Sequence, residues 1–290
     1  MQSFNTFLKE ETFLSEESEA LLEKLITFGG KAYPKFGNIV IMAGGAGSGK
    51  GFILSNLVGI EGKTFDVDEL KKLASKTPAI QKRVMDELGV DIFKLSQNLK
   101  DPENVGKLHD IIGNYLKTDK NKEKLFYRSV LTAPVDRKPN IIFDMTFKEL
   151  SKLEKVANDA SKLGYDKKNI HIVWVVNDIE VAKAQNLKRA RVVPTEILVN
   201  THRGAANTMG DIINMGNKLK KYMDGDIVFA FNKVGVDANL AKSGKGGSYV
   251  KDANYFYVKR AGKAPTPVDK LDKEIRSKIA GYVPKNVDWN

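Results

Sequence analysis

NIVIMAGGAGSGKG (38–51) runs from a short apolar, β-branched stretch straight into a glycine-rich loop. Residues 38–43 predict a buried parallel strand, because a strand covered on both faces need not alternate apolar with polar positions. GGAGSGKG (44–51) satisfies G-x-x-x-x-G-K through Gly44, Gly49 and Lys50. Glycines there let backbone N–H groups converge on phosphate oxygens, the following helix start adds partial positive charge, and Lys50 reaches the terminal phosphates. Gly44, Gly45, Ala46, Gly47, Ser48, Gly49, Lys50, Gly51 and Phe52 are therefore read as the segment that holds a nucleoside triphosphate, taken as ATP. A Ser or Thr ordinarily follows the lysine to hold Mg2+. Here Gly51 and then Phe52 follow.

Outward from this loop, strands and helices alternate. A helix is predicted from 51 to 59, a strand at KTFDV (63–67), and a strand at NIIFDM (140–145). A helix ending at Gly164 follows, then a strand at NIHIVWVV (169–176), helices over 178–190 and 195–223, and a strand at DIVFAF (226–231). The second of those helices is expected to break near Arg203-Gly204. This rhythm predicts a parallel sheet covered by helices on both faces. The block 69–135 is helical and polar throughout and reads as an insertion beside the sheet. Ser15 to Phe28 reads as an amphipathic helix, capped by Ser15 and ended by Gly29-Gly30. After 240 the composition turns glycine- and lysine-rich, and SYVKDANYFYVKR (248–260) predicts a hairpin turning at Asp252-Ala253-Asn254. The fold class is thus α/β, a P-loop NTPase three-layer sandwich with a parallel central sheet, a helical insertion and a basic C-terminal extension. The segments are 1–37, N-terminal and helical; 38–240, the P-loop domain, with the insertion at 69–135 and a lid at 186–204; and 241–290, the extension.

With 290 residues and 42% hydrophobic content the chain needs no covalent staples. It has no cysteine, which excludes disulfides, thiolate metal sites and a thiol nucleophile. No apolar run is long enough to span a membrane, and the N-terminal stretch lacks a signal peptide's basic start and apolar core, so a cytoplasmic location is expected. The net charge of +11 is uneven. Residues 182–221 carry eight basic and two acidic side chains, and 241–290 carry eleven and five. Such a field attracts phosphate, on a nucleotide or on nucleic acid.

A phosphate cradle does not name a reaction. Transfer to an alcohol also needs a carboxylate for the hydroxyl proton and cations for the phosphoryl oxygens. FDVDELKK (65–72) supplies Asp66, Asp68 and Lys71 at the end of the second strand, where side chains reach the cleft. Asp68 and Lys71 lie one helical turn apart on one face. A helix N-cap would also explain Asp68. Asp144 and Thr146 end the third strand; Asp144 can hold Mg2+ or contact the acceptor, or simply form a turn. NLKRARVVPTE (186–196) brings Lys188, Arg189 and Arg191 to cover the triphosphate. His171 and Trp174 read as packing, and His202 as a lesser phosphate candidate. FNKVGVD (231–237) partly echoes a guanine-binding motif, but Gly235 stands where Asp belongs, so GTP is not inferred. The aromatic and basic mix at 255–260 suits single-stranded nucleic acid, but a hairpin packed on the sheet edge explains it more simply.

These motifs resemble the zeta-toxin-like branch of P-loop kinases, related to polynucleotide kinases. The residues that carry the likeness are GGAGSGKG (44–51), VDELK (67–71), Asp144-Met145-Thr146 and ARVVPTE (190–196), within about 38–232. The resemblance implies that Asp68 is the catalytic base, Arg191 the lid arginine, and Arg189 or Lys188 a second cation, with ATP and Mg2+ as cofactors. Asp66, Lys71, Asp144 and Thr146 would bind the acceptor, with Asp144 the protein's metal ligand. The family has acid-Gly-Thr where this chain has Asp144-Met145-Thr146. Its members include toxins acting on amino-sugar nucleotides, polynucleotide kinases and bacteriophage kinases, and the lysine- and asparagine-rich style suits the last. The expected acceptor is anionic: a nucleotide, a nucleotide sugar or a nucleic acid. The alternative is a protein that uses ATP to bind nucleic acid or a partner with little catalysis.

Overall fold

The computed structural model describes residues 26–31, 34–58, 60–66, 73–116, 124, 127–128, 130–231, 240–242, 248–250, 255–267 and 270–271. Six strands form the central sheet: β1 (Ile39–Ala43), β2 (Lys63–Asp66), β3 (Ile141–Asp144), β4 (Ile170–Val176), β5 (Ile227–Phe231) and, at the edge, Tyr255–Lys259. The spatial order is β2-β3-β1-β4-β5 and then the edge strand. The first five are mutually parallel, and the edge strand is antiparallel to β5.

The side-chain period of two decides how this sheet is covered. Ile39 and Ile41 of β1, Ile141 and Phe143 of β3, Ile170 and Ile172 of β4, and Ile227 and Phe229 of β5 share one apolar cluster. Val40 and Met42, Ile142, Val173 and Val175, and Val228 and Ala230 point to the opposite cluster. The short helix α1 (Lys50–Asn56) covers the second face with Ile53, beside Ile26 and Phe28. In the insertion, α2 (Pro78–Leu88) ends at left-handed Gly89. It is followed by α3 (Ile92–Gln97), capped by Asp91, and α4 (Pro102–Leu108), capped by Asp101. The chain then continues as a π-helical turn over His109–Tyr115. Ala74, Val84, Ile92, Leu108 and Ile112 give this block a small core of its own. The first sheet face is covered by α5 (Ser151–Leu163) through Leu153, Val156, Ala160 and Leu163. After α6 (Ile179–Lys188), α7 (Thr195–Asn214) joins that face through Met209, Ile212 and Ile213. The result is the three-layer α/β sandwich expected from the alternation.

Three local expectations are corrected. Most of the N-terminal helix lies outside the described residues, but its last turn is not helical. Ile26 bridges Val58, Phe28 pairs with Lys31, and Ile26 and Phe28 are buried against the sheet. Helix α7 runs through Arg203-Gly204 without a break, because Gly204 is where the helix approaches Lys148. A Cβ at Gly204 would lie 2.6 Å from the Lys148 Cβ. The hairpin over 248–260 does not form either. Ser248–Val250 is β7 and pairs with β6 (Leu240–Lys242), whereas Tyr255–Lys259 is β8 and completes the main sheet. Phe256 and Val258 of β8 are buried in the first core cluster. The Tyr257 hydroxyl accepts from the Thr27 N–H at 2.8 Å and reaches the Thr27 carbonyl at 2.9 Å, so these aromatics serve packing.

The strands' N-terminal ends close over a buried polar network. Burial holds the His171 imidazole below its ordinary pKa and therefore neutral, against the pull of nearby Asp226. Its Nδ1 accepts the Asp226 N–H at 2.9 Å, and Nε2 faces Asn38 Oδ1 at 3.3 Å. The Asp226 carboxylate accepts N–H groups from Gly29 at 2.6 Å and Ala261 at 3.0 Å. The sign of the pH dependence follows. An unfolded histidine takes a proton near pH 6.5 while the folded one resists, so stability is full above that value and falls as pH drops below it, by up to about 1.4 kcal/mol per pH unit per such histidine. Denaturant titrations at pH 7.5 and 5.5 should show lower stability at 5.5, and a smaller difference for His171→Asn. Equal stability of the unmodified protein at both values would contradict a neutral, buried His171.

Candidate active site

Strand β1 is central, with β3 and β2 on one side and β4 and β5 on the other, so the chain order reverses beside it and the crevice at its C-terminal end is a topological switch point where ligands of such sheets bind. The loop from Gly44 to Gly49 occupies that point. Its path needs glycine: Gly44, Gly47 and Gly49 have φ of 147°, 76° and 89°. Space also demands it at Gly44, where a Cβ would lie 2.7 Å from the Val175 carbonyl oxygen. Gly49 is the left-handed residue from which α1 starts.

Lys50, the first residue of α1, turns back over the loop. Its Nζ donates to the carbonyl oxygens of Gly44 at 3.1 Å and Gly45 at 3.4 Å. It stands 3.6 Å from Asp144 Oδ1. Asp144 arrives there because β3 pairs with β1 in the register Met42 to Asp144, bringing the acid to the same edge as the loop. The same edge receives Asp66, whose Cα pairs with that of Asp144 across β2 and β3. The chain then turns sharply. Thr146 is half-buried, and Phe147, fully buried in the core, has φ of 56°. Among the described residues it is the one non-glycine with positive φ. Such strain costs on the order of 1 to 3 kcal/mol and gathers at functional turns.

Helix α7 closes the loop from the other side, a contact the sequence did not reveal. The Ala46 N–H donates to Thr201 Oγ1 at 3.0 Å, and that hydroxyl donates to the Leu198 carbonyl at 2.7 Å. His202 Nε2 donates to the Ala46 carbonyl at 2.8 Å. The ring covers Gly45 so closely that a Cβ there would come within 2.1 Å of it. Burial pushes the His202 imidazole below its ordinary pKa, and the Lys50 charge adds to that, against the pull of the Ala46 carbonyl.

Asp68 and Lys71 lie outside the described residues. Lys188 ends α6 and Arg189 caps it, both exposed. Arg191 is half-buried and lines a cavity of about 280 Å³ on the helical block, with Lys76, Gln97, Leu99, His109 and Ile112 among its walls. The segment is fixed to that block by the Val192 N–H donating to the Leu99 carbonyl at 2.9 Å. It is fixed to α6 by buried Asn186, whose side chain pairs with both Val193 backbone groups at 2.7 and 3.0 Å. Arg191 thus faces the helical block rather than standing free over the loop.

The donors suit a phosphate chain at the loop: an ammonium, glycine backbone that no Cβ obstructs, and one carboxylate opposite. They also suit a magnesium ion held mainly by phosphate and water, since Mg2+ is commonly bound through one or two carboxylates and Asp144 supplies one. Among the described residues no group of three or more acidic or imidazole side chains forms a separate metal site. A Cβ at Gly51 would meet nothing within 4 Å, so packing does not exclude a hydroxyl there. Among the described residues no helix is long and apolar enough to cross a membrane.

No family model and no curated protein matches the chain. Similar solved structures include one from work on the PezAT toxin–antitoxin system of Streptococcus pneumoniae, 17% identical over 76% of this chain and 74% of that one, with a TM-score of 0.39. Another is the AvrRxo1-ORF1:-ORF2 complex with ATP, 9% identical over 92% and 69%, with a TM-score of 0.43. A third is TT1252 from Thermus thermophilus, 17% identical over 70% and 92%, with a TM-score of 0.35.

Proposed function

We propose that the protein is an ATP-dependent phosphotransferase that moves the γ-phosphate to a hydroxyl of an anionic acceptor: a nucleotide, a nucleotide sugar or a nucleic acid. The observation that carries this reading is the Lys50 ammonium, folded over the glycine loop and 3.6 Å from Asp144 at the C-terminal edge of the parallel sheet. An ion pair of this kind sets a cation on the phosphate path and a carboxylate opposite it, which is what in-line phosphoryl transfer needs beyond positioning.

In the proposed reaction Lys50 and the loop amides hold the β- and γ-phosphates. Asp68 accepts the proton of the acceptor hydroxyl as its oxygen bonds to the γ-phosphorus. The bond from that phosphorus to the bridging oxygen breaks, and ADP departs. Lys71, Asp66 and Thr146 orient the acceptor, and Arg189 and Arg191 come over the transferring group when the lid closes. Asp144 would hold Mg2+, which supplies charge neutralisation between the phosphates when bound.

The test is to incubate the protein with γ-labelled ATP, magnesium and a panel of nucleosides, nucleotides, uridine-diphospho-sugars, RNA and DNA. Label in one acceptor is the expected outcome. Gly51, with room for a hydroxyl but none present, favours a second reading in which ATP binding drives attachment to nucleic acid or a partner with little chemistry. That reading predicts ATP binding without a labelled product in any arm.

A further inference from the structure

We infer that Thr201 and His202 are positioning residues for the phosphate loop, gripping the Ala46 peptide from both ends and thereby setting how tightly the loop binds a nucleotide. The inference rests on the loop being the nucleotide site. Its basis is that Ala46 lies between Gly45 and Gly47, in a stretch whose glycines bring conformational freedom as well as the needed φ values. A cradle made of such residues is entropically costly to order, and binding improves when the ordering is done beforehand.

The structure provides that ordering from one rigid element. The two residues are consecutive on α7. Thr201 takes the Ala46 N–H at 3.0 Å, and His202 gives its Nε2 hydrogen to the Ala46 carbonyl at 2.8 Å. Thr201 is only 8% exposed, and its own hydroxyl hydrogen is directed to Leu198, so its oxygen lone pair faces the loop. The His202 ring lies on Gly45, leaving no space for any side chain there. With its N–H engaged by Thr201, Ala46 is not a phosphate donor. Its role is to hold its neighbours' amides in place. Because α7 begins directly after the segment tied to Leu99 and Asn186, the grip also joins the lid to the loop.

ADP affinity measured by calorimetry tests this, with the ligand-free melting temperature recorded for each variant. Thr201→Val, which keeps shape but removes the acceptor, should weaken ADP about tenfold, and Thr201→Ser should restore it to within about twofold. His202→Gln keeps an N–H donor and should bind ADP more tightly than His202→Ala. Gly45→Ala should weaken ADP about a hundredfold in the unmodified protein yet add little in the His202→Ala background, since coupled residues are non-additive. A merely structural role would lower melting temperatures together and leave affinity unchanged in the folded variants. ADP binding unchanged in Thr201→Val and His202→Ala overturns the inference, as does a Gly45→Ala cost equal in both backgrounds. That cycle decides the question even if Thr201→Val does not fold. Failure of the unmodified protein to bind ADP overturns the nucleotide reading itself and this inference with it.

Discussion

Lys50→Met is expected to lower phosphate transfer at least a hundredfold while leaving the protein folded. The Lys50 side chain is 12% accessible, and its ammonium is fixed by two loop carbonyls and by Asp144 before any ligand arrives. A cation held in place this way costs no reorganisation at the moment of transfer, and losing one such donor typically costs about 2.7 to 4 kcal/mol of barrier, or 10²- to 10³-fold in rate. Methionine has a similar length and fills similar space, so the change is one of charge. Asp144 retains 28% accessibility and can take water in place of the ammonium, which limits the effect on stability. The check is the labelled-acceptor assay beside a melting curve. Transfer at the unmodified rate would remove the glycine loop from the reaction.

Asp68→Asn is expected to leave ATP affinity within a few-fold but to lower transfer by about 10²- to 10⁴-fold, the range for loss of a general base. In sequence Asp68 stands two positions after Asp66, whose Cα pairs with that of Asp144 at the sheet edge. Its proposed partner is the acceptor's hydroxyl, and for that reason binding of ATP alone should be indifferent to it. Asp144→Asn, assayed in parallel, separates the two carboxylates. Because Asp144 faces Lys50 and is the proposed magnesium ligand, its loss should weaken the magnesium dependence of ATP binding as well as the rate. If Asp68→Asn transfers phosphate normally, Asp68 is not the base.

The sequence by itself determined the layers of this protein. Parallel strands buried on both faces leave continuous apolar runs, and 39–43, 141–144, 170–176 and 227–231 show them as plainly in the chain as in the sheet. It determined the loop as well, because the chemistry of a phosphate cradle needs glycines and a lysine at fixed, local spacing. The helix end at Gly164 was legible for the same reason, since left-handed backbone is a property of one residue, whereas the end at Gly89 was passed over inside a block read as helical throughout. Only the tertiary structure decided what meets across large separations. The register that sets Asp144 against Lys50, about 94 positions away, depends on strand order, which the periodicity of single strands does not encode. The same holds for Tyr255–Lys259, whose alternation fitted a local hairpin equally well until the open edge of β5 supplied a longer partner. Arg203-Gly204 looked like a helix break because glycine is a poor helix former, and packing reversed that: the missing side chain lets α7 approach Lys148. The same helix delivers Thr201 and His202 to Ala46, a contact spanning about 155 positions whose hydrogen bonds exist only once the core has brought the helix to the loop.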